Sequence, residues 1–262
     1  LLGDAGLRGD VFMATKVDRE DAAEGVERME GSIERLGPPI DLMQVHNLRG
    51  TDAQLETLFA RKKEGRVGHV GITTHRVSQH AEMIAFMKKY PLDFVQVNYS
   101  LADRAAAETL LPLAIDRGIA VLVNRPFGKG QLFDAVKGMV LPDWSREINC
   151  DSWGQLFLKY IIAHPAKTIP IPGTSKPHHA ADNARAMRGR LPDKELRREM
   201  ADGLAQGWIV HLGYVADAHR AAACIWPLGS NRATDCGGVL SGSYAKDCEV
   251  VLPAASWTVA TI

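Results

Sequence analysis

The chain has 262 residues, of which 46% are apolar and 24% charged, the proportions of an ordinary globular protein. Its 31 Lys and Arg residues balance 31 Asp and Glu residues, so the basic excess that is typical of nucleic-acid-binding proteins is missing. No run of roughly 18 apolar residues occurs, and we therefore expect neither a membrane-spanning helix nor a membrane partner.

Six short runs rich in Val and Ile alternate with amphipathic segments along the chain. Runs of this kind, apolar on both faces, are typical of buried parallel strands. The predicted strands are Val11–Val17, Ile40–His46, Val67–Thr73, Leu92–Asn98, Ile119–Val123 and Thr168–Ile171. The first five begin 29, 27, 25 and 27 residues apart, which indicates repeated strand–helix units and an α/β protein with a parallel sheet.

Two α/β architectures compete for this pattern, the (β/α)8 TIM barrel and the doubly wound sheet. No G-x-G-x-x-G follows the first strand, and the segment Asn124–Gly130 lacks the P-loop pattern. Polar residues instead follow the carboxyl ends of most strands, where barrel enzymes collect their active sites: Lys16, His46, Thr73, Gln96, Asn98, Arg125, Ser175 and Lys176. We therefore predict a barrel of which six units are present, with two further units expected before Leu1.

The composition changes after about Gly207. Residues 207–262 hold 7 of the 62 charged side chains, so this tail is less than half as charged per residue as the rest. We divide the chain into a barrel of units 3 to 8 over 1–206 and a tail of unknown nature over 207–262. The tail is predicted to be irregular or β-leaning, as in Trp208–Val215. A helix is predicted over 187–204, before the tail. Six units would leave the edges of the first and last strands open, and the tail is apolar enough to cover part of that gap.

The four cysteines, Cys150, Cys224, Cys236 and Cys248, have spacings that fit no zinc site. We interpret them as plain thiols, with a disulfide in the tail as the alternative. His178 and His179 are adjacent on a predicted helix and face apart, so no metal site is expected.

Six motifs in fixed order resemble the aldo-keto reductase superfamily from about Leu7 to about Leu204. They are TKV ending at Val17, DLMQVHN, RVGHVGITTH, DFVQVNYS, GIAVLVNRPFGKG and IPIPGTSKPHHAADNARA, the last being the most specific. The resemblance implies a (β/α)8 barrel that reduces carbonyl compounds with NADPH and without metal or flavin.

The resemblance also implies catalytic residues. The family uses an Asp, a Tyr, a Lys and a His, with Tyr as the general acid; Lys16 and His46 match the Lys and the His. The Asp and Tyr belong to an earlier strand and loop, before the first residue of this chain. A buried ammonium lowers the pKa of a neighbouring phenol, and a histidine can orient the carbonyl oxygen. Without the phenol, we expect little reductase activity from these 262 residues.

The nicotinamide end of the cofactor is expected at three strand ends. Thr73 and Thr74 stand where the family usually has Ser-Asn against the nicotinamide amide, and Gln96 matches the amide-contacting Gln. An aromatic residue usually stacks on the nicotinamide ring after a later strand; here that place falls on Asn124 or Arg125, and the Arg125 guanidinium can stack.

The phosphate end of the cofactor is expected at two further loops. Gly128 permits close backbone approach to the pyrophosphate. Gly173, Thr174, Ser175 and Lys176 precede a helix that begins near Pro177, whose N-terminus favours phosphate. Lys176 is assigned to the 2′-phosphate of NADP, and Asn183 matches the adenine-contacting Asn. A simple helix-capping turn remains the alternative for this segment.

The leading hypothesis is therefore an NADP-dependent reductase whose substrate is a small carbonyl compound, an aldehyde or a ketone. The alternative is a non-catalytic barrel that binds the nucleotide and acts as a regulatory or interaction subunit. A lyase or isomerase without nicotinamide is disfavoured by the segment around Lys176 and Asn183. A cytoplasmic location is expected, and the oligomeric state stays open.

Overall fold

Six parallel strands form a curled half-barrel in a computed structural model that describes residues 8–205, 250–253 and 260–261. The strands are β1 Val11–Val17, β2 Ile40–Val45, β3 Val67–Thr73, β4 Phe94–Asn98, β5 Ala120–Asn124 and β6 Thr168–Pro170. They agree with the six predicted strands to within two residues at either end. Leu92 and Asp93 lie before the first residue of β4, and the Leu92 N–H donates to the carbonyl of Tyr90.

Helices follow the strands and cover their outer face. They are α1 Ala22–Leu36, α2 Thr51–Lys63, α3 His80–Lys89, α4 Leu110–Arg117, α5 Gln131–Ala135, α6 Trp153–Ile162, α7 Pro177–Arg185 and α8 Lys194–Ala205. The Asp21 carboxylate begins α1 by accepting from the N–H groups of Ala23 and Glu24, and the Ser152 hydroxyl begins α6 in the same way. None of the helices in the described part of the chain has the length and apolar character of a membrane span.

The strand order distinguishes a barrel from a doubly wound sheet. The six parallel strands are hydrogen-bonded in the order β6-β5-β4-β3-β2-β1, so each lies beside its sequence neighbours without a reversal. A doubly wound sheet reverses direction at a switch point, whereas a barrel does not. The prediction of a barrel architecture is confirmed.

Two hydrophobic cores lie on opposite faces of the sheet. The larger one fills the space between the strands and the helices. The smaller one lies inside the half-barrel and contains Ala14, Leu42, Phe94 and Leu122. Alternate residues of a strand share a face, so the residue two positions further toward the carboxyl end of each strand also faces inward. Those positions are polar, and they form the floor of the site described below.

The last helix begins later than predicted. The expected helix over 187–204 is wrong in its first seven residues, since α8 begins at Lys194. Gly189 adopts a left-handed φ of 72°, and Pro192 follows soon after it, so the chain leaves the helical conformation between α7 and α8.

Part of the tail pairs with the open edge of the half-barrel. Residues Val250–Pro253 form β7, which is antiparallel to β1 with Val11 opposite Pro253. A second short strand, β8 (Ala260–Thr261), pairs with β7. The edge of β1 that was expected to be open is therefore covered, while the segment 208–215 and the three tail cysteines lie outside the described residues. Cys150 is a buried free thiol whose pKa burial raises to about 11.

A buried lysine holds the segment that connects α7 to α8. Lys159 on α6 is fully buried, and its ammonium donates to the carbonyls of Arg188 at 2.5 Å and Arg190 at 2.9 Å. We expect Lys159→Met to lower the free energy of unfolding by about 2 kcal/mol, because two carbonyls lose their donor. Urea denaturation measures the loss. The exposed Lys88→Met is the control, and equal stability of the two variants would contradict the role given to Lys159.

Candidate active site

The carboxyl ends of the strands bring the predicted catalytic pair together. Lys16, one residue before the end of β1, is the register neighbour of Gln44 in β2, and His46 follows the end of β2 directly. Burial, and next the positive charge of Lys16, lower the pKa of the half-buried His46. The histidine is therefore held in its neutral form, which has one ring N–H to donate to an oxygen.

The loop that carries His46 is fixed against the end of β3. Asn47 has a left-handed φ of 55°, and its backbone N–H donates to Thr73 Oγ1 at 3.1 Å. Its side-chain Oδ1 lies 3.0 Å from His75 Nδ1, which must donate because Oδ1 only accepts. Gln79 Nε2 donates to the backbone carbonyl of Asn47 at 3.4 Å. Three contacts from one segment thus hold the residue that follows His46.

Hydrogen bonds also join the ends of β3, β4 and β5. The Thr74 N–H donates to the carbonyl of Gln96 at 2.9 Å. Gln96 Nε2 donates to Asn124 Oδ1 at 2.6 Å, and Asn124 Nδ2 lies 3.5 Å from the carbonyl of Thr74. The structure therefore brings together Thr74 and Gln96, two of the predicted cofactor residues, with Asn124 between them.

Two buried oxygens on β4 have no hydrogen-bond partner among the described residues, Gln96 Oε1 and Asn98 Oδ1. Gln96 and Asn98 are two residues apart on a strand and so face the same side. Buried polar atoms are normally paired, and an unpaired acceptor at a strand end marks a place for a donor from a ligand. The amide NH2 of a nicotinamide ring is such a donor, so these residues fit the cofactor that the sequence implies.

The loop after β5 adds positive charge to the same end of the sheet. Arg125 and Lys129 have left-handed φ values of 49° and 58°, and Gly128 between them has 57°, a conformation that glycine adopts without strain. Burial, and next the charges of Arg125, Arg76 and Lys129, lower the pKa of His75. The loops after β3 and β5 therefore face each other and favour an anion such as a pyrophosphate.

The segment after β6 begins a helix at the predicted residue. Lys176 is the N-cap of α7, Pro177 is its first residue, and the Lys176 N–H donates to Thr174 Oγ1 at 3.1 Å. Gly173, Ser175 and Lys176 are exposed. Both the capping turn and the phosphate-binding helix end that the sequence suggested are compatible with this geometry, since an N-terminus of this kind attracts anions.

Asn183 on α7 lies beside a cavity of about 340 Å³ between β6, α6 and α7. The walls are mostly apolar, with Leu158, Ile169 and Met187 among them. None of the residues at the ends of β1 to β3 lines this cavity, so it is separate from the Lys16–His46 pair.

The tyrosines of the described residues have their hydroxyl groups engaged elsewhere. Tyr90 donates to Asp52, between α3 and α2. Tyr99 accepts from Arg197 Nη2 at 2.8 Å and contacts Tyr160 through its hydroxyl. The expected phenol beside Lys16 is therefore not supplied by these three side chains, while Tyr214 and Tyr244 lie outside the described residues.

The sequence interpretation missed three residues of the site, Asn47, His75 and Gln79. Asn47 and His75 come directly after predicted site residues at strand ends, and this position in the sequence could have indicated a role in the site. Their importance depends on contacts between neighbouring loops, which strand prediction does not provide.

Comparison with known proteins identifies the family. The model of the Aldo/keto reductase family matches residues 1–200. An uncharacterized oxidoreductase of Schizosaccharomyces pombe is 31% identical over 159 residues, covering 59% of this chain and 50% of the relative. The NADH-specific methylglyoxal reductase of Escherichia coli is 26% identical over 215 residues, covering 68% of this chain and 64% of the relative. The chain thus spans between half and two thirds of the length of these two relatives.

The fold is shared with a solved structure of the same family. An aldo/keto reductase from Klebsiella pneumoniae in complex with NADP and acetate superposes with a TM-score of 0.61 at 22% identity, covering 76% of this chain and 71% of that chain. The family uses a nicotinamide cofactor, as the sequence resemblance implied. With a family model matched over most of its length, this chain belongs to the aldo/keto reductase family.

Proposed function

We propose that the chain binds NADP(H) across the carboxyl ends of its strands and serves the reduction of an aldehyde or ketone to an alcohol. The observation that carries the proposal is the buried, unpaired Gln96 Oε1 at the strand ends where Lys16 and His46 lie together. The buried acceptors at this end suit the nicotinamide amide, and the basic loops suit the pyrophosphate of a dinucleotide. NADPH, when bound, supplies a hydride to the carbonyl carbon.

The protein's own residues act on the carbonyl oxygen. His46, neutral because its pKa is lowered by burial and by Lys16, donates a hydrogen bond that orients this oxygen. The Lys16 ammonium stabilises the negative charge that develops there. The alkoxide must still be protonated, and we assign that step to a phenol outside the described residues, because Tyr90, Tyr99 and Tyr160 are engaged elsewhere.

Two measurements on the purified chain test the proposal. Fluorescence titration with NADPH should show saturable binding, and NADPH absorbance with an aldehyde such as 4-nitrobenzaldehyde reports turnover. Binding with little oxidation is the expected result, because the three described tyrosines supply no phenol to Lys16. Absence of binding would contradict the proposal. Robust turnover would call for Tyr214→Phe and Tyr244→Phe, since one of these residues would then be the candidate proton donor.

The choice between NADP and NAD is tested at the start of α7. The Escherichia coli relative is named NADH-specific, so the family alone does not decide the nucleotide. We expect Lys176→Glu to weaken NADPH binding at least tenfold, about 1.4 kcal/mol, with a smaller effect on NADH, because only NADPH has a 2′-phosphate. Fluorescence titration with both nucleotides measures this difference. Lys88→Glu, at another exposed position, is the control, and equal losses for both nucleotides would contradict the assignment of Lys176.

A further inference from the structure

We infer that Asn124 is a positioning residue that fixes the orientation of the Gln96 amide and thereby selects a cofactor carrying a carboxamide. The inference rests on the proposed function, because it concerns how the same site recognises the nicotinamide. It goes further by giving a defined role to a residue that does not need to touch the cofactor.

The orientation of Asn124 follows from its neighbours. Its amide lies between a carbonyl, that of Thr74 at 3.5 Å, and the side chain of Gln96 at 2.6 Å. A backbone carbonyl only accepts, so the nitrogen of Asn124 must face Thr74. The oxygen of Asn124 consequently faces Gln96.

The orientation of Gln96 follows in turn. Because Asn124 presents an oxygen, Gln96 must present its nitrogen, and the 2.6 Å contact is then a donor–acceptor pair. Gln96 Oε1 is left as a buried acceptor without a partner among the described residues. A glutamine free to rotate would offer either its oxygen or its nitrogen. The Thr74–Asn124–Gln96 chain removes that choice, so the site presents an acceptor.

The ligand chemistry that this acceptor prefers is specific. The carboxamide of nicotinamide offers an NH2 donor, whereas the acetyl group of the 3-acetylpyridine analogue has a methyl group in its place. A methyl group leaves the buried Gln96 Oε1 unpaired, and a site with an unpaired buried polar group discriminates strongly. Both nucleotides are otherwise alike, so the ratio of their dissociation constants reports how well the site receives the NH2 group.

The test compares the dissociation constants of NADPH and of the reduced 3-acetylpyridine analogue by fluorescence titration. The wild-type chain is expected to bind NADPH at least tenfold more tightly. Asn124→Leu removes the acceptor that holds Gln96 Nε2, and the ratio is expected to fall to threefold or less. Asn124→Asp retains an oxygen toward Gln96, and its ratio is expected to stay within twofold of the wild-type value even where both affinities decrease.

A double variant separates positioning from general damage. In Gln96→Leu the ratio is expected to collapse, and adding Asn124→Leu should change it no further, because the two residues act through one contact. A folded Asn124→Leu chain that keeps the wild-type ratio would overturn the inference and leave the proposed function standing. If neither nucleotide binds the wild-type chain, both fail. Should Asn124→Leu not fold, the same ratio is measured in Asn124→Ala, with the same expected fall.

Discussion

Replacing Lys16 by Met is expected to lower kcat for aldehyde reduction at least a hundredfold, in any form of this protein that shows turnover, while the affinity for NADPH changes less than twofold. The ammonium stabilises charge that exists only as the carbonyl is reduced, and losing such a group costs a factor of this size. The positive charge of Lys16 also acts on His46, whose pKa it helps to lower.

Steady-state kinetics and nucleotide titration on the same preparation check this expectation. Lys88→Met, in α3, is the control and should keep the wild-type kcat. A Lys16→Met protein that retains more than a tenth of the activity would show that Lys16 is a strand-end charge without a catalytic role. The pH profile adds a second readout, because removing this positive charge should raise the pKa of His46 toward its ordinary value.

The second large effect concerns stability in mild acid. His164 follows α6, packs edge-on against Tyr99 with ring centroids 5.4 Å apart, and accepts from the Ala166 N–H through Nδ1 at 3.1 Å. Burial, and next the charge of Arg197, lower its pKa to about 4, from about 6.5 for an exposed histidine. The folded protein therefore resists protonation of His164, whereas the unfolded chain does not.

The direction of the pH dependence follows from this difference. Above about pH 6.5 both states hold His164 neutral, and it contributes no pH dependence. As the pH falls from about 6.5 to 4, the unfolded chain takes up the proton first, so the free energy of unfolding decreases, by up to about 3 kcal/mol. Burial also lowers the pKa of His46, His75 and His80, which adds to the same trend.

Urea denaturation at a series of pH values measures the loss. His164→Gln is expected to flatten the profile between pH 6.5 and about 4 relative to wild type, even though it lowers stability at neutral pH by disturbing the packing on Tyr99. His178→Gln, at an exposed position, is the control and should keep the wild-type profile. A His164→Gln protein with an unchanged slope would assign the acid sensitivity to other groups.

The strands of this fold could be predicted from the sequence because hydrophobic patterns carry the information. The residues Val11–Val17 and Val67–Thr73 match β1 and β3 at both ends. The start of the last helix was mispredicted, because apolar spacing gave no weight to the left-handed Gly189 and to Pro192.

The candidate site was predictable only in part. The ends of parallel strands meet at one edge, so Lys16, His46 and Gln96 could be grouped from their places in the sequence. The bond between Gln96 and Asn124 could not be predicted, because it depends on the register of β4 against β5, where Asn98 lies opposite Asn124. Strand patterns leave that register open.

The unreversed strand order has a consequence for how the protein folds as it is synthesised. Each parallel strand pairs with the strand that precedes it, from β1 and β2 through β5 and β6, so each newly translated unit finds its partner already made. Each of these pairings closes a much shorter loop than a pairing of β1 with β6 would, and a shorter loop costs less entropy to close. The pair of Val11 with Pro253, 242 positions apart, is the exception among the described strands, and it forms only after residue 253 has been synthesised.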